Sequence, residues 1–403
     1  MVSVTAVKNW PSELERWIQP FVDHLDHKVQ RTMAPLYLLG LLTPGRRKSI
    51  EPMAQRVAGG QWQSLHHFVN VSEWDVAALE AELARQASAL VGGAGAHLIV
   101  DDTALRKKGR HSAGVARQWC GETGKLENCQ VLVSLTLAKD EAPVCVGLRL
   151  FLPKEWADDQ ARREKCRIPE APGHLPKWRI ALTEIDRLTV AGVVFDDVLA
   201  DAGYGHVSAF RRGLSQRRLR WAVGVESDLQ VYPDDVMVRV PAALPSRGRP
   251  ATHPAPSCPP VRARDWIDGL GARGFRSITW RRGVKGPLRA EFAVARVRVA
   301  EGRRISQGRR LPGDAAWLVC ERRTSGERKY YLSNLPESAT RLQLARQIKA
   351  RWACEQPHQQ MKQELGLDHF EGRSWRGLHH HCLLTMIAYC FLQHLRLSGK
   401  KNA

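Results

Sequence analysis

The chain has 403 residues, 43% of them hydrophobic, enough for a substantial core and two or three domains. Its 61 Lys and Arg exceed its 41 Asp and Glu to leave a net charge of +20, which calls for a polyanionic partner. No apolar run reaches the ~18 residues of a membrane span, the opening "MVSVTAVKNWPSELERW" lacks the apolar stretch of a signal peptide, and nine scattered cysteines without a Cys-x-x-Cys pair fit a reduced compartment and exclude a zinc knuckle.

Residues 1–92 read as a helical domain. "LERWIQPFVDHL" spaces Leu14, Trp17, Ile18, Phe21, Val22 and Leu25 at helical intervals. After the basic turn "TPGRRKS", "IEPMAQRV" forms another helical segment. "SEWDVAALEAELARQASALV" opens with Ser72 as a cap and Asp75 three residues on, and Gly92 and Gly93 close it. Small helices joined by basic turns suit DNA docking or dimerisation.

Residues 93–225 change in texture. "HLIVDD" reads as a short strand ending in acid. "NCQVLVSLTLA" and "PVCVGLRLFLP" form a hairpin about "KDEA". A helix about "KWRIALTEIDRLTVAG" precedes "FDDVLADAGYG", a strand ending in Asp201 and a glycine turn. A helix near 206–216 and the strand "RLRWAVGV" follow. Three strands, helix, strand, helix, strand and a late helix give the order of an α/β, ribonuclease H-like core. Residues 226–330 read as a β-rich insertion holding the proline-dense "PAALPSRGRPATHPAPSCPP". Residues 331–403 complete the core with the Glu355 helix and a C-terminal helix, and "HLRLSGKKNA" reads as a frayed tail.

Three acids stand where such a core would use them: Asp101 and Asp201 at strand ends, Glu355 on the late helix. Two divalent cations about 4 Å apart need shared carboxylate oxygens to activate an attacking oxygen and stabilise a leaving one on a phosphodiester. Alone, each acid is more often a cap or a surface ion pair; the combination carries the assignment. Asp102 competes with Asp101, and strand alternation points the two to opposite faces. In "ARWACEQPHQQMKQELGLDHFEGRSW", the helical period puts Arg351, Glu355 and Lys362 on one stripe.

"LIVDDT", "KKGRHSAGVARQWCG", "VLADAGYG" and "RWACEQPHQQMKQELGLDHFEGRSWRGLHHH" together resemble the DDE transposases of bacterial insertion sequences. The late helix is similar to their Tyr-x2-Arg-x3-Glu-x6-Lys signature at Arg351, Glu355 and Lys362, with Ile348 in place of the tyrosine. The resemblance runs from about Leu39 to Leu395. It implies a ribonuclease H-like fold and a catalytic, metal-binding triad of Asp101, Asp201 and Glu355. It also implies two Mg2+ ions, for which Mn2+ substitutes. The expected activity is cut-and-paste transposition, with cleavage at terminal inverted repeats and strand transfer into target DNA. Its partners would be double-stranded transposon-end and target DNA, the protein acting as a homodimer in the cytoplasm and on the nucleoid.

Two departures keep a second reading open, a decayed or domesticated DNA-binding relative without catalysis. Ile348 cannot make a tyrosine's contacts, and Pro357 follows Glu355 where a helix-interior proline costs about 3 kcal/mol and kinks the chain. Lys107, Lys108, Arg110 and Arg117, with Arg351 and Lys362, are the expected phosphate contacts. The resemblance also implies an aromatic residue of the insertion that stacks on a flipped base, for which Trp280 and Trp317 are the candidates. His379, His380 and His381 are consecutive and so point apart on a helix, which argues against a chelating site.

Overall fold

The computed structural model describes residues 9–171, 173–240, 253–283, 286–305 and 310–401; most of the proline-dense segment lies outside them. The chain divides into two compact units, residues 1–196 with 352–403, and residues 197–351.

The first unit opens with five helices, α1 (Trp10–Asp23), α2 (Lys28–Leu42), α3 (Ile50–Val57), α4 (Trp62–Asn70) and α5 (Val76–Val91). The α1 stripe read from the sequence is buried, from Leu14 to Val22. The cap of α5 is Asp75 rather than Ser72: its carboxylate accepts from the Ala77 and Ala78 amides, whereas the Ser72 hydroxyl accepts from Gln30 of α2. The two residue types cap about equally well, but the Ser72 hydroxyl is taken up by Gln30, and the helix starts three residues late.

Four antiparallel strands follow: β1 (His97–Arg106), β2 (Ala116–Cys120), β3 (Lys125–Lys139) and β4 (Ala142–Leu150). β3 pairs with all three others. Its central residues, Cys129 to Ala138, are buried without interruption, as expected of a strand covered on both faces. The short helices α6 (Lys154–Ala157) and α7 (Gln160–Cys166) lead to α8 (Lys177–Val190), which packs on β3.

The second unit begins with β5 (Asp197–Ala200), α9 (Ala202–Gly205), α10 (Ser208–Gln216) and β6 (Arg220–Val225), with β5 and β6 parallel. It continues through β7 (Gln230–Pro233), β8 (Val238–Arg239), β9 (Ala255–Pro256), β10 (Val261–Arg262), α11 (Ala263–Gly269) and α12 (Gly271–Gly274). The long antiparallel strands β11 (Arg276–Gly283), β12 (Gly286–Val299), β13 (Ala315–Arg322) and β14 (Arg328–Ser333) complete its sheet. α13 (Arg341–Ala350) closes the unit, with Gln347 bound to buried Asp197 at 3.0 Å.

Back in the first unit, α14 (Glu355–Gln363) and α15 (Trp375–Lys401) end the described chain. α15 packs on β4, α5, α2 and α4. It continues to Lys401, into the stretch read as a frayed tail, with Leu395 still buried. The cysteines are buried in all cases but Cys258, which is partly exposed. No described helix is long and apolar enough to cross a membrane.

Candidate active site

Asp101 is the fifth residue of β1, not its last: pairing with β3 continues to Arg106 opposite Cys129. Thr103, Ala104 and Leu105 are buried and carry the strand onward. Alternation separates the two adjacent acids as expected. Asp102 meets Lys177, the first residue of α8, at 2.6 Å. Asp101 faces α14 instead, and its Oδ2 accepts from the Cys354 thiol at 3.0 Å.

Cys354 caps α14, and Glu355 is that helix's first residue. A second bond fixes the same helix, between His358 Nε2 and Ser134 Oγ at 2.8 Å. Ser134 sits opposite Asp101 in the β1–β3 register and donates to the Asp101 carbonyl at 3.0 Å. Two hydrogen bonds, with Pro357 and Met361 buried, thus set the start of α14 against the Asp101 region. Glu355 itself is exposed.

The interrupted helix has a covalent cause. Residues 351–354 form a 3-10 turn rather than a continuation of α13. Pro357 cannot donate to residue 353, and its ring crowds that carbonyl, so a continuous α-helix is disfavoured there. Pro357 instead lies in the first turn of α14, where amides lack intrahelical acceptors in any case. The single stripe expected for Arg351, Glu355 and Lys362 is therefore not formed: Arg351 belongs to the tighter 3-10 turn, and only Glu355 and Lys362 share a helix. Ile348, at the signature's tyrosine position, is buried within α13 and serves packing.

Asp201 follows β5 and caps α9, accepting from the Tyr204 amide at 3.2 Å. The "DAGYG" motif is shaped by close backbone approach. A Cβ on Gly205 would stand 1.8 Å from the Gly224 carbonyl oxygen, and one on Gly224 would stand 2.7 Å from the Ala202 nitrogen. Only glycine lets α9 lie this close to β6. Buried Tyr204 packs on Phe210 of α10, and buried Arg211 donates to the Gly205 carbonyl and pairs with Glu301. Asp201 is thus held from both sides of its turn.

The basic residues divide by environment. Lys107, expected to face DNA, is turned inward, its ammonium donating to the Phe370 carbonyl at 2.6 Å; burial pulls its pKa below the ordinary lysine value. Lys108 and Arg110 line a groove of about 550 Å3 with Arg117, Leu126 and Arg162. Lys362 pairs with Glu122 at 3.0 Å, and that hydrogen bond lowers the Glu122 pKa. In the second unit, Trp280 stands edge-on to Phe292 with the Lys349 ammonium 4.8 Å above its ring. Lys349 also pairs at 2.7 Å with Glu321, which is buried. Trp317 donates to the Pro336 carbonyl.

His379, His380 and His381 bond within the first unit. They bond to Trp375, Val69 and Tyr37 respectively, and burial lowers their pKa values to about 4, 3 and 4. Among the described residues no group of three or more His, Cys, Asp or Glu side chains is gathered to hold a metal ion. Sequence reasoning missed Cys354, Lys177, Ser134 and His358 as positioning residues. Their partners lie from 33 to 253 residues away, and no local pattern announces them.

Residues 20–287 match a family model described as "DDE superfamily endonuclease". The chain is also 27% identical over 191 residues to a protein of Microchaete diplosiphon described as "Probable transposase for insertion sequence element IS701". That alignment takes in 47% of each chain, so this protein spans about half the length of the curated relative it matches. A cryo-EM structure of the piggyBac transposase synaptic complex with hairpin DNA aligns with 97% of this chain and 73% of its own at a TM-score of 0.45 and 10% identity, a likeness too weak to bear on fold or function.

Proposed function

The chain belongs to the DDE superfamily endonucleases, and from that premise we propose that it is a DNA transposase on a ribonuclease H-like core. In this proposal it cleaves at the terminal inverted repeats of a mobile element and joins the freed 3′ ends to target DNA. The observation that carries the proposal is the Cys354 thiol on Asp101, which brings the beginning of the Glu355 helix to that acid, while Asp102 is engaged by Lys177.

Asp101, Asp201 and Glu355 would hold two Mg2+, with Mn2+ as a substitute. The donor chemistry fits, because all three are hard carboxylate oxygens and the one sulfur bonded to Asp101 acts as a donor toward it. Bound there, such ions supply activation of the attacking oxygen and stabilisation of the leaving one. The chain's own residues do the rest. Lys177 keeps Asp102 engaged away from Asp101, and Cys354 orients the Asp101 carboxylate. The α9 turn holds Asp201 through the Tyr204 amide. Lys108, Arg110 and Arg351 would bind phosphates, and Lys362 would exchange Glu122 for one. Lys107 would support the Lys108–Arg110 loop from beneath, and Trp280, with Lys349 on its ring, would face a base. Residues 1–92 would serve DNA binding or dimerisation, since cutting two ends together calls for a homodimer on DNA. In a cell such a protein would work at the nucleoid. Pro357, the feature that pointed to a decayed relative, sits in a first helical turn that tolerates it, and that alternative is not favoured.

The test is cleavage of end-labelled DNA that flanks the gene, with Mg2+ at low salt, by wild type and Glu355→Gln. Cutting at a repeat boundary by wild type alone, followed by joining to a target, is the expected result. Equal cutting by both proteins would remove Glu355 from the triad.

A further inference from the structure

The loop between β2 and β3 makes a hairpin whose outer strand face the proposed chemistry does not use. Gly124, at φ +64°, takes the left-handed conformation this short connection needs, and its amide closes the turn on the Cys120 carbonyl at 2.9 Å. The inner face of the hairpin is anchored: Cys120 and Cys129 pack with Ala104 and Val131. The outer face is not. Trp119 is 60% exposed and Leu126 is 55% exposed, and the two are direct cross-strand partners. Single exposed apolar residues are ordinary, but an opposed Trp–Leu pair forms a continuous apolar platform.

The charges around this platform define its occupant. Arg117 lies two residues before Trp119 and so on the same face. Its cross-strand partner Asn128 donates to the Lys107 and Gly109 carbonyls at 2.6 and 2.9 Å, tying the basic loop to the hairpin. Lys108, Arg110, Arg117 and Arg162 then share one groove with Leu126, against only Glu127 and Glu155. Among the described residues, no ion pair engages Lys108, Arg110 or Arg117. Such cations suit phosphates, but a duplex hides its base faces in the stack. An outstanding indole flanked by cations instead matches single-stranded nucleic acid, whose bases offer free faces.

We propose that the outer face of the β2–β3 hairpin binds single-stranded DNA, with Trp119 stacking on an unpaired base and Lys108, Arg110 and Arg117 on the adjoining phosphates. The inference rests on the transposase reading for its biological setting, since strand breakage at an element's end frees such bases. Its geometry involves none of the three acids.

The test is fluorescence anisotropy with a labelled oligothymidylate of about ten nucleotides, a length within the range such sites cover. A duplex of the same length is run beside it, in EDTA, with the full chain. Trp119→Ala is expected to weaken single-strand binding ~10-fold and leave duplex binding unchanged, while Trp119→Phe restores most of the loss. The triple variant K108A/R110A/R117A is expected to weaken binding and reduce the slope of log affinity against log salt by roughly 2. Glu355→Gln binds the oligonucleotide as wild type does even if cleavage is never observed, so failure of catalysis and failure of stacking are read separately. Equal affinity of wild type and Trp119→Ala for the single strand overturns the proposal. So does loss of self-association by Trp119→Ala in sedimentation with DNA affinity intact, which assigns the face to a second copy of the chain.

Discussion

Replacing Gly205 with alanine tests what holds Asp201 in place. The new methyl carbon would stand 1.8 Å from the Gly224 carbonyl oxygen, against the 3.4 Å or more of ordinary contact. Both atoms are backbone-fixed, so no side chain can swing away, and α9 must retreat from β6 by well over an ångström. Overpacking of this kind costs typically 1–3 kcal/mol, and the absence of any flexible partner puts this case near about 3 kcal/mol. At ~2–4 °C per kcal/mol for a unit of this size, the melting temperature should fall by roughly 6–12 °C. Asp201 caps the displaced turn, and a 1 Å misplacement of a reacting group costs about 100-fold in rate. The assays are a thermal melt followed by circular dichroism and the Mg2+-dependent cleavage rate, measured well below the melting transition so that unfolding does not masquerade as lost catalysis. A variant that melts with wild type and cleaves at its rate would refute the argument that the α9–β6 approach positions Asp201.

Two further perturbations separate positioning from stability. Cys354→Ala removes the donor on Asp101 Oδ2 and should cost about 10–100-fold in cleavage, the range for groups that orient a metal-binding carboxylate; Cys354→Ser, which can still donate, should recover most of it, and a serine variant as poor as alanine would count against the bond. Arg149 lies among Glu80 and Glu184, both with side chains only 6% exposed, so Arg149→Met leaves buried charges with Arg187 alone and should lower stability by about 3 kcal/mol in a denaturant titration. The same cluster sets an acid limb. Burial raises the Glu80 pKa, but the hydrogen bond and charge of Arg149, with Arg187, more than offset this and leave it below the ordinary value. A folded pKa below the unfolded one gives stability that is complete above about pH 4.3 and is lost as pH falls through the folded value. Melting temperature against pH should therefore drop below about pH 4 in wild type, and Glu80→Gln should flatten that limb; an unchanged limb would place the acid sensitivity elsewhere.

The sequence by itself determined the elements and the cast of candidate residues. The apolar run "LIV" and the alternating "NCQVLVSLTLA" read as strands, and the first brought Asp101 into view; that the second is covered on both faces, with Gln130, Ser134 and Thr136 buried too, only the fold shows. Asp201 and its glycines were visible because a backbone approach as tight as that of Gly205 admits no other residue. Net charge pointed to a polyanionic partner, and consecutive histidines argued against a chelate, since both arguments depend on composition or on helical period alone.

Tertiary structure decided whatever depended on a distant partner. Whether Asp101 or Asp102 faces the Glu355 helix turned on Lys177 and Cys354, contributed by helices far along the chain. Lys107 read as a surface cation until the Phe370 carbonyl, 263 residues later, was seen to take its ammonium. Pro357 looked disruptive when one helix was drawn through it and became benign once the 3-10 turn placed it in a first turn. The β2–β3 hairpin was not read from the sequence, although "RQWCGETGKLE" holds two short runs about a glycine turn; nothing local shows which of its faces the core will cover. Local pattern fixes what a segment can form, because backbone geometry and hydrophobic period act over a few residues. The environment of a charge is set by whichever groups folding places within a few ångströms of it, and those come from anywhere in the chain.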